Sequence, residues 1–139
     1  MAQRRNWRTR GEFSRGVSDT ISLPETLRQL REMGEHVIQA AKNALEIGVN
    51  EIVTDAKSRC PVKTGKLRNS IRAVPNREKT SYRIVADAKD DNGFAYGQVV
   101  EFSPKINKPF LYPAFDANYG RIQAKIREAI GRALETGRA

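Results

Sequence analysis

The chain has 139 residues, of which 39% are hydrophobic and 29% charged, with a formal charge of +9, and this bounds it to one small domain with a modest core. No run approaches the roughly 20 apolar residues that cross a membrane, and the start, with Arg4, Arg5, Arg8 and Arg10, lacks the apolar stretch of a secretion signal. The expectation is an intracellular, soluble product without a membrane partner, holding no metal or cofactor and running no reaction: the single cysteine, Cys60, has no neighbouring cysteine or histidine to share zinc, and one histidine with scattered carboxylates assembles no catalytic centre.

Charge is unevenly placed along the chain. Lys and Arg exceed Asp and Glu by three in residues 1–21, fall short by three in 22–56, and exceed them by seven in 57–79. Residues 1–21 are rich in Arg, Gly and Ser and show no helical or strand period, which predicts an extended basic arm ahead of one domain at 22–139. Such an arm is held most simply by another subunit, with Arg4, Arg5 and Arg8 as charges and Trp7 and Phe13 as aromatic anchors; folding back on its own domain is the alternative.

The domain opens at Ser22, whose hydroxyl with Glu25 three residues on reads as a capping box. Leu27, Leu30, Val37, Ile38, Ala41, Ala44, Leu45, Val49, Ile52, Val53 and Ala56 recur at steps of three and four, which predicts one long helix to about Ser58. Gly34 and Gly48 mark points where it can bend or allow close approach. His36 lies off the apolar face and is assigned no role.

Pro61 ends the helix, and a Pro and Gly turn then leads to a predicted strand from about Lys66. Lys63, Lys66, Arg68 and Arg72 crowd this turn and fit attraction to a DNA backbone as well as contact with another subunit. Lys63-Thr64-Gly65 also occurs in penicillin-binding enzymes, but the Ser-x-x-Lys that supplies their nucleophile is missing, and the glycine spacing of a phosphate-binding loop is missing too. Residues 80–88 alternate Tyr82, Ile84 and Ala86 against Arg83, Val85 and Asp87, and 95–102 set Tyr96, Gln98, Val100 and Phe102 together, which predicts two further strands joined by an Asp90-Asp91-Asn92-Gly93 turn. After Pro109 and Pro113, the residues Phe115, Tyr119, Ile122, Ile126, Ala129, Ile130 and Ala133 share one helical face. The fold class is α+β: an antiparallel sheet of three to four strands packed by an amino-terminal and a carboxy-terminal helix.

In this order, the long helix, then Cys60-Pro61-Val62-Lys63-Thr64-Gly65-Lys66-Leu67-Arg68-Asn69-Ser70-Ile71, then Tyr96-Gly97-Gln98-Val99-Val100-Glu101-Phe102, then Lys108-Pro109-Phe110-Leu111-Tyr112-Pro113-Ala114-Phe115, resembles the tail-component family of lambdoid-type long-tailed bacteriophages. The resemblance spans about residues 30–135, with Cys60 in place of a small residue and Ser103 where glycine is usual. It implies a virion protein of the neck or tail, built in the host cytoplasm, that joins head and tail as a homo-oligomeric ring; six copies are expected, matching a sixfold tail, with twelve as the alternative. Its implied partners are a tail terminator or tube protein on one side, a head-completion or connector protein on the other, and genomic DNA in the channel. Partner-facing candidates in its motifs are Tyr96, Gly97, Glu101, Pro109, Phe110, Leu111 and Pro113. A tail terminator ring and a free-standing nucleic-acid-binding protein stand as alternatives, the second supported by the basic balance alone.

Overall fold

The computed structural model describes residues 16–62, 64–106 and 108–136. They run β1 (Val17–Ser22), α1 (Leu27–Met33), α2 (Glu35–Arg59), α3 (Lys66–Ser70), β2 (Arg72–Pro75), β3 (Ser81–Ala86), α4 (Gly97–Phe102) and α5 (Leu111–Thr136). The class is the expected α+β, a three-stranded antiparallel sheet in the order β1-β3-β2 lying against the α2–α5 pair. β3 is central; Tyr82, Ile84 and Ala86 are buried as expected, and Val85, on the other side of the alternation, is buried as well.

β1 lies in the stretch read as arm, pairing Val17 with Ala86 and Ser22 with Ser81 at its two ends. Val17 and Ile21 are buried, and the half-buried Asp19 between them breaks the apolar alternation that a period of two requires. Residues 1–15 lie outside the described residues, and with them Arg4, Arg5, Trp7, Arg8 and Phe13.

The long helix is two helices. Gly34, at φ +117, holds a conformation that side chains resist, so α1 stops there and α2 starts on a new axis. Ser22 closes β1, its hydroxyl bonded to that of Ser81 at 3.0 Å, rather than capping a helix. The capping box sits four residues later, where the Thr26 hydroxyl accepts from Gln29 N at 3.2 Å and Gln29 Oε1 accepts from Thr26 N at 2.9 Å. Over its 25 residues α2 runs about 37 Å and buries Val37, Ile38, Ala41, Leu45, Val49, Ile52 and Ala56, the face that the spacing marked.

α5 packs antiparallel on α2. His36 Nε2 is 2.9 Å from the Ala133 carbonyl, Gly48 faces Ile122, Arg121 pairs with Glu51 at 2.6 Å, and Asn118 donates to Asp55 at 2.8 Å. His36 therefore ties the start of α2 to the end of α5, where a solvated side chain was expected. Gly48 is a point of close approach: a β-carbon there would stand 2.5 Å from Ile122 Cγ2. Phe115, Ile122, Ile126 and Ile130 are buried, while Tyr119 is 42% exposed and stacks on Phe115 with ring centroids 5.4 Å apart.

One predicted strand starts late and another is a helix. Lys66–Ser70 forms α3, and the strand begins only at Arg72. The turn ahead of it uses Gly65 in the left-handed region at φ +82, and Leu67 points inward from α3. Gly97–Phe102 forms α4, because its two most buried positions, Gly97 and Glu101, stand four apart on one helical face, a pattern that alternation at 96, 98, 100 and 102 obscures.

Candidate assembly surfaces

The antiparallel pairing of α2 and α5 gives the molecule two ends. At one end stand the last turn of α2, α3, the first turn of α5 and the loops at 87–96, 103–106 and 108–109; at the other, the β2–β3 turn lies beside α1. Gly16, where the chain enters β1, sits at the loop end, since a β-carbon on it would meet the Ala86 carbonyl oxygen at 2.4 Å.

Most motif residues serve this end as internal supports. Glu101 is 6% exposed, and its Oε1 accepts from Leu111 N at 2.7 Å and Phe110 N at 3.3 Å. A carboxylate so placed satisfies amides left open at the start of α5 and opposes the positive end of the helix dipole. Phe110 and Leu111 are fully buried, so these two and Glu101 hold α5 on the core, and a partner cannot reach their side chains in this conformation. Gly97 is buried as well, and a β-carbon on it would press to 3.0 Å from the Ala86 carbonyl oxygen. Of the partner-facing candidates, Pro109 is exposed and Tyr96 and Pro113 are half-buried, Pro113 in the first turn of α5 where a missing N–H costs nothing. Cys60 is buried, and that burial pushes its thiol above the ordinary range and away from reactivity.

The basic candidates divide. Arg72 is spent on Asp87, its two nitrogens reaching the two carboxylate oxygens at 2.6 and 2.8 Å. Those hydrogen bonds, with the Arg72 charge, outweigh partial burial and hold the Asp87 carboxyl below its usual value; they raise the guanidinium in turn. Lys66 and Arg68 are exposed on α3 and make no ion pair among the described residues. Lys63 lies outside the described residues. Asp90 does the turn chemistry its sequence suggested, with Oδ1 accepting from Asn92 N and Phe94 N, both at 2.9 Å.

The sequence reading missed the outer face of the α2–α5 pair. Along it runs an open groove of about 710 Å³ lined by Ile47, Asn50, Glu51, Thr54, Asp55, Ser58 and Arg121. It continues past Ile47 into a second hollow of about 450 Å³ toward Lys125 and Arg132. Ile47 is 61% exposed and Val62, in the loop after α2, is 62% exposed, the two most exposed large apolar side chains described. The signal for Ile47 was an isoleucine standing outside the apolar stripe of its helix, where a polar residue is the rule. In the groove, burial opposes ionisation of Asp55, but hydrogen bonds from Arg59 and Asn118 and the Arg59 charge leave its carboxyl below the ordinary value.

Among the described residues no three His, Cys, Asp or Glu side chains gather in a metal-holding group, and no helix is long and apolar enough to cross a membrane. A family model described as "Bacteriophage HK97-gp10, putative tail-component" matches residues 25–102, more than half of the chain and the span from the α1 cap through α4. No curated protein and no solved structure gives a match. The match takes in the Gly65 turn and the helix that carries Glu101, residues that build the loop end, and it stops short of the Pro109 to Phe115 segment. The chain belongs to the HK97-gp10-like family of bacteriophage tail components.

Proposed function

We propose that this chain is a structural protein of the phage neck, which forms a ring at the head–tail junction and joins tail to head by binding alone. The observation that carries the reading is a division of labour within a tail-component family member. Its motif residues Gly97, Glu101, Phe110 and Leu111 are used up in building the core, while an apolar groove and a basic turn stay open on the surface. Surfaces of that kind bind other proteins.

The proposed ring has six copies, matching a sixfold tail, or twelve. It meets a tail terminator or tube protein on one side and a head-completion or connector protein on the other, after assembly in the host cytoplasm. Residues 1–15, with Arg4, Arg5, Trp7, Arg8 and Phe13, reach onto a neighbour in this reading, and Pro109, Tyr96 and Pro113 are the motif positions that retain exposed surface. Capping the tail tube as a terminator ring is the rival placement. Particles assembled without this chain should accumulate as filled heads and finished tails that stay apart. Adding the purified chain should join them, counted by electron microscopy and by recovered infectivity; joined particles forming in its absence would contradict the reading.

A second role rests on Lys66 and Arg68, exposed and without an ion pair among the described residues. Facing a channel, with Lys63, they would attract DNA phosphate without reading sequence, and the attraction would weaken with salt. Arg72, already held by Asp87, adds little there. Lys66→Glu with Arg68→Glu separates the roles: intact rings that leak DNA mark the channel, and lost rings mark a subunit contact.

A further inference from the structure

We infer that the hollow between α1, the start of α2 and the β2–β3 turn is a site for the phosphate backbone of duplex DNA, held by Arg31, Lys42, Arg77 and Lys79 without reading sequence. These four cations come from three separate elements and line one hollow of about 290 Å³. None of them forms an ion pair among the described residues. Lys42, two turns into α2, is half-buried without such a partner, and an anion in the hollow would supply one.

The carboxylates nearby do not cancel this charge. Two line the hollow, Glu35 and Glu78, against the four cations. Glu35 stands in the first turn of α2, where it already faces the positive end of that helix. On α1, Glu32 pairs with Arg28 at 3.6 Å. The turn also holds its two cations in place before any ligand arrives: Asn76 Oδ1 accepts from Thr80 N at 2.8 Å and from Ser81 N at 3.1 Å, and Asn76 Nδ2 donates to Thr80 Oγ1 at 2.9 Å. Lys79 lies in the left-handed region at φ +59, the one non-glycine residue there among those described. Glycine takes that position without steric cost, so the fold carries a strained backbone at the residue that puts an ammonium in the wall of the hollow.

Duplex phosphate suits this end better than a protein or unpaired bases. The centres of protein interfaces are apolar and poor in lysine, and of the exposed large apolar side chains described, Ile47, Val62, Phe94, Ile106 and Tyr119, none stands on α1 or on the β2–β3 turn. Lys66 and Arg68, by contrast, share the loop end with Val62, Phe94 and Ile106. No aromatic ring among the described residues lines the hollow to stack on an unpaired base. Lysine and arginine without apolar company hold the backbone of a duplex by charge. One copy carries the whole site, so binding there needs no ring.

The test is fluorescence anisotropy of the full chain with a labelled duplex of random sequence over a salt series. Arg77→Gln with Lys79→Gln removes two of the four cations, and Lys66→Gln with Arg68→Gln removes the same net charge from the other end as a control. The first pair should flatten the slope of log affinity on log salt by about two, which makes the loss of affinity between about 50 and 200 mM salt roughly tenfold smaller; the control pair should flatten it by much less. Lys79→Gly should leave stability to urea unimpaired, because glycine suits the turn, and still flatten the slope by about one. Equal flattening by the two pairs would mean attraction to net charge without a site and would overturn the assignment, and a larger effect of the control pair would overturn it in favour of the Lys66–Arg68 turn. A wild-type slope unchanged in Lys79→Gly, or no DNA binding by the wild type, would overturn it as well. Polyglutamate that displaces the duplex at equal charge concentration would overturn it by giving the hollow to an acidic protein segment.

Discussion

Glu101 acts through two backbone bonds, to Phe110 N and Leu111 N, and it does so at 6% exposure. Glu101→Ala would leave buried amides without an acceptor and should cost about 2–4 kcal/mol, read from urea unfolding. Glu101→Gln keeps an acceptor but loses the charge at the helix start, so about 1 kcal/mol is expected. The ordering of those two losses checks whether the residue supports the fold, as placed here, or faces a partner. Asp87 makes a pH prediction. Its folded-state value is depressed by Arg72, so the pair stabilises the fold above the unfolded carboxyl value of 3.8 and that stability is lost as pH falls through the lower folded value. With side chains 53% and 34% exposed, the pair is screened and contributes at most about 1 kcal/mol at neutral pH. Asp87→Asn should lower stability by that amount at pH 7 and make no difference near pH 2, in thermal melts at both values. Glu101 and Asp87 both came from acidic positions whose partners are distant in sequence, so their roles were not legible from spacing alone.

Between elements, the helix pair decides most of the architecture. Gly48→Ala sets two effects against each other: alanine favours a helix by up to about 1 kcal/mol over glycine, while a β-carbon 2.5 Å from Ile122 Cγ2 overpacks the contact at about 1–3 kcal/mol. The branched Ile122 side chain has little freedom to retreat, so the variant should be destabilised, and Gly48→Ala combined with Ile122→Ala, which removes the clashing Cγ2, should cost less than the sum of the two single changes, measured by chemical denaturation. The faces of α2 and α5 were legible because burial there follows the helical period, and the inward side of β3 was legible at Tyr82, Ile84 and Ala86, although Val85 opposite them is buried too. β1 was not, since Asp19 interrupts its inward side, and α3 and α4 were read as strands because five or six residues are too few for a helical period to stand out. Gly34 and Gly48 were legible as a bend and a close approach, though glycine alone did not say which was which.

For the whole molecule, family membership makes the chain a tail component, and its open surfaces are a groove on the α2–α5 face and a basic loop end. The basic turn was legible as a charge run, whereas the groove was not: it is built from the outer faces of two helices that lie some seventy residues apart in the chain, and periodicity describes only what each helix turns inward. The central claim is that this chain is a ring joining head to tail. Cryo-electron microscopy of the intact particle, focused on the neck, tests it most directly. The account predicts a closed ring of this α+β fold between head and tail tube; a neck fully built from other chains, with this one nowhere in it, would contradict it.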